Sequence, residues 1–283
     1  MPLAAAVAGI ALVGCGSSEG ASRTSVVAAF YPLAWAAQLV GGPSVEVTNL
    51  TPSGAEPHDI ELTPGETARL QKADVVLYVS HGFQPGVERA IRGASGQRVD
   101  VLEGIALRSG SGDEAGETDP HVWLDPRLYA RVVRRIGTAL ERPQAAAALA
   151  RRVTELDRAY RRGLNGCARR KFVTSHAAFG YLAARYRLDQ IPITGLDPEA
   201  EPSPRKLAQL ARLVRRERIP TVFFETLVSP KLARTLAREA GVRTAVLDPL
   251  EGLTPGETAR GATYLSVMRQ NLAQLRAALG CDR

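Results

Sequence analysis

The chain has 283 residues, 45% of them hydrophobic and only 5% aromatic. That is enough for one large domain or two lobes around a core made mostly of Ala, Leu and Val. The net charge of +7 rests almost wholly on Arg, with only four Lys (72, 171, 206 and 231). These charges are interleaved with Glu and Asp, not gathered into a stripe with stacking aromatics, which argues against a nucleic-acid partner.

Leu3 to Val13 is an apolar run too short to span a bilayer as a helix. It ends in Leu12-Val13-Gly14-Cys15, and Gly16-Ser17-Ser18 follows. Small residues before a cysteine resemble a bacterial lipoprotein signal, so residues 1–15 read as signal and lipobox, with Cys15 as the lipidated residue. The expected location is extracytoplasmic, anchored to the cell membrane or periplasmic. No Lys or Arg precedes the apolar run, as one does in most signals. Residues 16–24, rich in Gly, Ser and Ala, read as a flexible tether.

From Ser25 strand-like and helix-like segments alternate. Ser25–Phe30 reads as a strand, Pro32–Val40 as a helix stopped by Gly41-Gly42, and Val45–Leu50 as a strand. Thr63 caps a helix with Pro64 at its first position and Glu66 three residues on. Asp74–Ser80 is an apolar strand, and a helix over 84–91 and a strand over 98–102 follow. Residues 109–118 hold nothing to bury and read as a mobile loop. Pro126–Glu141 is helical, and Pro143 opens a second helix to about Leu164, with Leu149, Val153, Leu156 and Tyr160 at helical spacing. Strands over 171–174, 188–194, 221–224 and 242–247 then alternate with helices over 178–185, 203–217 and 230–239. Thr254-Pro255 opens one last helix toward Leu279. No internal repeat or transmembrane helix is evident.

This alternation predicts an α/β chain of two lobes, each a mostly parallel sheet flanked by helices and joined by a long rigid helix. The expected boundaries are 25–142 for the first lobe, 143–165 for the linking helix and 166–283 for the second lobe. With Cys15 set aside, Cys167 and Cys281 are an even pair, read as a disulfide in an oxidising compartment or else as two buried thiols.

Three of the four histidines sit in short motifs just past strand ends. These are Glu56-Pro57-His58-Asp59, Asp119-Pro120-His121 and Ser175-His176-Ala177. A fourth strand runs into Leu247-Asp248-Pro249. Ligands in open α/β sheets bind beyond the carboxyl ends of strands. His58, His121, His176 and Asp248 therefore form the expected metal set, and three imidazoles with one carboxylate suit zinc. Glu56, Asp59, Asp119 and Glu225 are candidate acceptors for the second ring nitrogens. His81, also past a strand, reads as a polar turn residue, and Trp123 as packing.

Several segments together resemble the zinc- and manganese-binding lipoproteins that serve ABC importers, the TroA-like, cluster A-I solute-binding proteins. They are Thr51-Pro52-Ser53 through Pro57-His58-Asp59, Ala73-Asp74-Val75-Val76, Asp119 through Pro126, Thr174 through Tyr181, and Leu247-Asp248-Pro249-Leu250. The resemblance implies metal binding between the lobes by His58, His121, His176 and Asp248, delivery to a membrane permease, and no enzymatic activity. A monomer is expected. Manganese-selective relatives look to have Glu at the third position, so His176 favours zinc over manganese. Many zinc-binding members carry a His-rich loop before the second histidine; residues 109–118 here hold Asp113, Glu114 and Glu117 but no His. Competing readings are a zinc hydrolase with Glu225 as general base and a manganese-binding or adhesin-like surface lipoprotein.

Overall fold

The computed structural model describes residues 23–110 and 116–281. Cys15, the apolar run before it and most of the tether lie outside the described residues, as do residues 111–115 of the acidic loop. Among the described residues no helix is long and apolar enough to cross a membrane.

The first lobe opens with β1 (Thr24–Ala28), α1 (Tyr31–Gly41) and β2 (Val45–Asn49). It continues with α2 (Pro64–Lys72), β3 (Val75–Tyr78), α3 (Pro85–Ile91) and β4 (Gln97–Asp100). Its strands lie in the order β2-β1-β3-β4, all parallel, with Val26 opposite both Val47 and Val75. β1 and β3 are Val-rich and largely buried, as strands covered on both faces must be.

The expected mobile loop is tethered at both ends. β5 (Arg108–Ser109) pairs antiparallel with β6 (Thr118–Asp119), and the Gly110 amide donates to the Glu117 carbonyl at 2.8 Å. α4 (Pro126–Ala139) and α5 (Pro143–Gly163) follow. α5 buries Leu149, Val153, Leu156 and Tyr160, packing along α4 and touching α1 on one side and α10 (Tyr264–Leu279) on the other.

The second lobe contains β7 (Lys171–Thr174), α6 (Gly180–Tyr186), β8 (Asp189–Pro192) and α7 (Pro204–Arg216). β9 (Thr221–Phe224), α8 (Lys231–Ala240), β10 (Arg243–Val246) and α9 (Pro255–Ala259) complete it before α10. Its strand order is β10-β9-β7-β8, again all parallel. Read by rank within each lobe, the two sheets share one topology, and the loops beyond the carboxyl ends of β2, β7 and β10 meet between the lobes.

Two expectations need correction. The chain after Thr254 forms two helices, not one. Gly261, at φ +69°, ends the first, and Thr263 caps the second with the Ser266 amide donating to its hydroxyl at 3.2 Å. An internal repeat also exists: Leu62–Arg69 and Leu253–Arg260 are the same eight residues, Leu-Thr-Pro-Gly-Glu-Thr-Ala-Arg. Each copy makes the same capping box, Thr63 with Glu66 and Thr254 with Glu257. Their helices differ in length, nine residues against five, because Leu70 continues the first into the core while Gly261 stops the second.

One hydrophobic core runs from the first sheet through α1, α4 and α5 into α10. The scarce aromatics gather where the lobes join. Trp35 stacks on Tyr264 at 5.4 Å between ring centroids, and Tyr129 on Tyr264 at 4.1 Å. The Tyr160 hydroxyl donates to the Met268 carbonyl at 2.6 Å. A smaller core lies under α7 and α8, around Val214, Val222 and Leu236. Cys167 and Cys281 form a disulfide with Cα atoms 3.8 Å apart, which ties the end of α10 to the segment before β7.

Candidate metal centre

Each histidine of the expected set follows a strand, and local chemistry aims it. Glu56-Pro57-His58 and Asp119-Pro120-His121 are one device used twice, an acid, a proline, then the histidine. The carboxylate folds over the proline and accepts both donors of the residue two positions on. Glu56 accepts the His58 amide at 3.0 Å and Nδ1 at 2.8 Å. Asp119 accepts the His121 amide at 3.0 Å and Nδ1 at 2.8 Å. His176 has no such neighbour in its own segment, and its Nδ1 meets the Glu225 carboxylate, beyond the end of β9, at 2.9 Å. With Nδ1 committed as donor, Nε2 of each ring is the basic nitrogen.

The three rings converge, with centroids 5.4 to 5.9 Å apart. Their fourth companion is Glu251, not Asp248. One Glu251 oxygen lies 3.1 Å from His121 Nε2 and 3.2 Å from His176 Nε2. Donor atoms of His58, His121, His176 and Glu251 all fall within 4.8 Å of one another. Tetrahedral ligands on zinc arms of about 2.0–2.1 Å stand about 3.3 Å apart, so these separations already approach those of a zinc shell. His58 Nε2 is buried and has no hydrogen-bond partner among the described residues, as a nitrogen reserved for another acid would be.

Asp248 is buried close by but turned to other work. Its Oδ1 accepts the Leu250 amide at 2.7 Å, and its Oδ2 accepts the Thr226 hydroxyl at 3.2 Å. Asn271 grips its backbone, accepting the Asp248 amide at 3.0 Å and donating to the Asp248 carbonyl. Leu250 then adopts φ +58°, a left-handed conformation that reverses the chain and turns Glu251 inward. Of the four candidate acceptors, Glu56, Asp119 and Glu225 each hold a ring; Asp59 is exposed and holds none. Glu225, accepting from His176, is not placed as a general base. His81 is exposed at φ +66° and lines a cavity of about 430 Å³ with Asp59, Phe83 and Asp197 that leads to the His58 edge of the cluster.

Residues of one lobe hold the ligand loops of the other. The Tyr181 hydroxyl donates to the Asp119 carbonyl at 2.9 Å. Gly180 lets Asp119 approach, since a Cβ there would stand 2.7 Å from its Oδ2. Trp123, read from sequence as packing, donates its indole N–H to the Pro249 carbonyl at 2.8 Å. The Ser53 hydroxyl and the Gly54 amide both reach the Leu253 carbonyl, at 2.7 and 2.9 Å.

Electrostatics favour a cation in the centre. Burial alone would push the His121 and His176 imidazoles down, but their carboxylate partners outweigh it and raise both, His176 well above the ordinary value. Burial likewise opposes ionisation of Glu251, yet the surrounding imidazoles hold its carboxyl well below the usual range. Asp248 lacks such partners, and burial pushes it up to about 7.

A family model described as zinc-uptake complex component A, periplasmic, matches residues 26–278. The zinc-binding lipoprotein AdcA of Streptococcus pneumoniae is 35% identical over 97% of this chain, which spans about 60% of that protein's length. Its Zn(II)-bound crystal structure superposes with a TM-score of 0.79 at 36% identity, over 91% of this chain and 58% of that one. The high-affinity zinc uptake system protein ZnuA of Bacillus subtilis is 34% identical over 98% of this chain and 94% of its own. A laminin-binding protein of Streptococcus agalactiae, described as having adhesin and metal transporting activity, superposes with a TM-score of 0.83 at 30% identity, over 91% of this chain and all of that one. By sequence match along nearly its whole length and by fold, the chain belongs to the ZnuA family of zinc-uptake components, a family of solute-binding proteins, not of enzymes.

Proposed function

We propose that the protein captures one zinc ion between its lobes and delivers it to the membrane permease of an ABC importer. The metal is cargo. Its donors are Nε2 of His58, His121 and His176 and the carboxylate of Glu251. The observation that carries this reading is the donor spacing, 3.1 to 3.2 Å between Glu251 and two imidazoles, with each ring oriented through Nδ1 by its own carboxylate. Three nitrogens and one oxygen form a softer set than manganese prefers. Four protein donors fill a tetrahedral shell, so no coordination position is left for the activated water a hydrolase needs. Native mass spectrometry after exposure to equal zinc and manganese tests the assignment. One zinc per chain is expected, and preferential retention of manganese would overturn it.

The chain is further proposed to act as a monomer, divided as 25–142, 143–165 and 166–283, and to be held at the membrane through a lipid on Cys15. Incorporation of labelled fatty acid that disappears in Cys15→Ser would support the anchor, and equal labelling of both forms would remove it.

A further inference from the structure

The donor cluster is closed on most sides. His121, His176 and Glu251 are at most 1% exposed. Of the four donors only His58 keeps contact with the outside, with 13% of its side chain exposed. The cavity of about 430 Å³ that reaches His58 is therefore the open approach to the cluster. At about 30 Å³ per water, that volume admits a divalent cation with its whole hydration shell.

The charge along this approach is the reverse of the molecule's. The chain carries 36 Lys and Arg against 29 Asp and Glu. Yet the described wall of the cavity holds Asp59, Glu117 and Asp197 and no Lys or Arg. All three acids are exposed, and none is ion-paired with another described residue. Acids lining a concave mouth focus their field there, raise the local concentration of cations and speed their arrival.

His81 stands in the same wall. Its backbone is left-handed, at φ +66°, and Gly82 follows at +83°. Glycine makes such a turn at no steric cost, so the turn does not call for an imidazole. Packing does not call for one either, since His81 is exposed and its ring has no hydrogen bond, ion pair or ring contact with a described residue. What the side chain offers is a nitrogen donor of the kind zinc accepts, set among carboxylates. His81 and the three acids do not close into a second shell: the described donors that lie within 4.8 Å of one another are those of the buried cluster. A few exposed ligands hold an ion briefly, which suits passage and not storage.

We infer that hydrated zinc enters through this cavity and is held in passage by His81 and the acids beside it before His58 draws it inward. His81 then sets the rate of loading without being a ligand of the final site. The inference rests on the zinc-binding reading above.

The test uses the full-length, metal-free protein with the zinc ion alone as probe. Stopped-flow loading against a fluorescent chelator gives the rate, and equilibrium competition with the same chelator gives the affinity. The variants are His81→Gly, which suits the turn, and Asp59→Asn combined with Asp197→Asn. Loading is expected to slow about tenfold in each, and in the Asp variant to lose most of its dependence on ionic strength. Affinity of His81→Gly should stay within about twofold of the parent, because a stop on the route alters neither end state. Its melting temperature without metal, no lower than the parent's, shows that the fold is kept. Loading at the parent's rate in both variants would overturn the inference and leave the buried centre intact. So would a loss of affinity in His81→Gly as large as that in His58→Ala, which would make His81 a permanent ligand. A parent that binds no zinc would remove the zinc reading and the inference together.

Discussion

Aspartate and glutamate differ by one methylene, and in the loop after β10 that difference assigns their work. A short carboxylate bonds its own backbone two residues on and closes a turn; Asp248 does this with the Leu250 amide. The longer Glu251 reaches into the cluster. Glu251→Ala is therefore expected to weaken zinc binding by more than the roughly 10–100-fold typical of losing an orienting partner. Asp248→Asn should stay within a few-fold of the parent, since the amide oxygen can still accept from Leu250. Competition against a chelator of known affinity decides this, and the reverse order would restore Asp248 as the ligand. Asp248→Asn should also gain stability relative to the parent as pH rises from about 4 to about 7, the window in which the unfolded carboxyl is ionised and the buried one is held neutral, and the gain should level off above it. Gly180→Ala places a methyl 2.7 Å from Asp119 Oδ2, so the carboxylate must shift and its hold on His121 loosens; a loss of zinc affinity of up to about 10–100-fold is expected. The raised imidazoles set the pH response. Protons compete with zinc, so affinity should fall as pH drops, starting above the ordinary imidazole value of about 6.5. In the zinc-free protein these protonated histidines favour the folded state at low pH, and that contribution disappears as pH rises through their folded values. The stabilisation conferred by zinc should therefore grow across the same window, and calorimetry at pH 5.5, 7 and 8.5 checks the sign.

At the level of elements, most strands and helices follow from apolar runs, proline starts and glycine stops that are visible in the sequence. The three histidines were equally legible, and their acceptors Glu56, Asp119 and Glu225 all stand among the candidates; for the first two the pairing is legible as well, because Glu56-Pro57-His58 and Asp119-Pro120-His121 are local. What escaped was non-local or conformational. Leu250 in a left-handed conformation violates its own propensity, and the Asp248 turn and the Asn271 bonds around it come from separate stretches of chain, so nothing nearby announces that Glu251 turns inward. Glu225 is legible as a candidate acceptor but not as the partner of His176, 49 residues away; only the adjacency of β7 and β9 brings them together. The break at Gly261 was hidden by good helix formers on both sides of it. The carboxy-terminal helix is held by the disulfide and by backbone bonds from Ala168 and Arg169 to Gly280 and Leu279, at 3.1 and 3.0 Å. Cys281→Ser should destabilise the protein by about 2–4 kcal/mol, toward the lower end because those backbone bonds remain. Chemical denaturation with and without reductant checks this; the parent under reductant should match the variant.

Across the whole molecule, the lobes share a core at the helices that join them and exchange hydrogen bonds around the metal centre. The chain should therefore melt in a single transition despite its two sheets, with zinc moving that transition upward as a whole. Two separable transitions by calorimetry would contradict the continuous core. The cross-lobe bonds also bear on timing. Asp119 is held through Tyr181, Glu251 through the Trp123–Pro249 bond, and the His58 loop through Leu253. An ion seated there does not leave readily by the loss of one ligand alone, because three of the four ligand loops are clamped from the far side. Its residence time is then set by how often several clamps open together, and anything that pulls the lobes apart by even a small amount acts as a release catalyst.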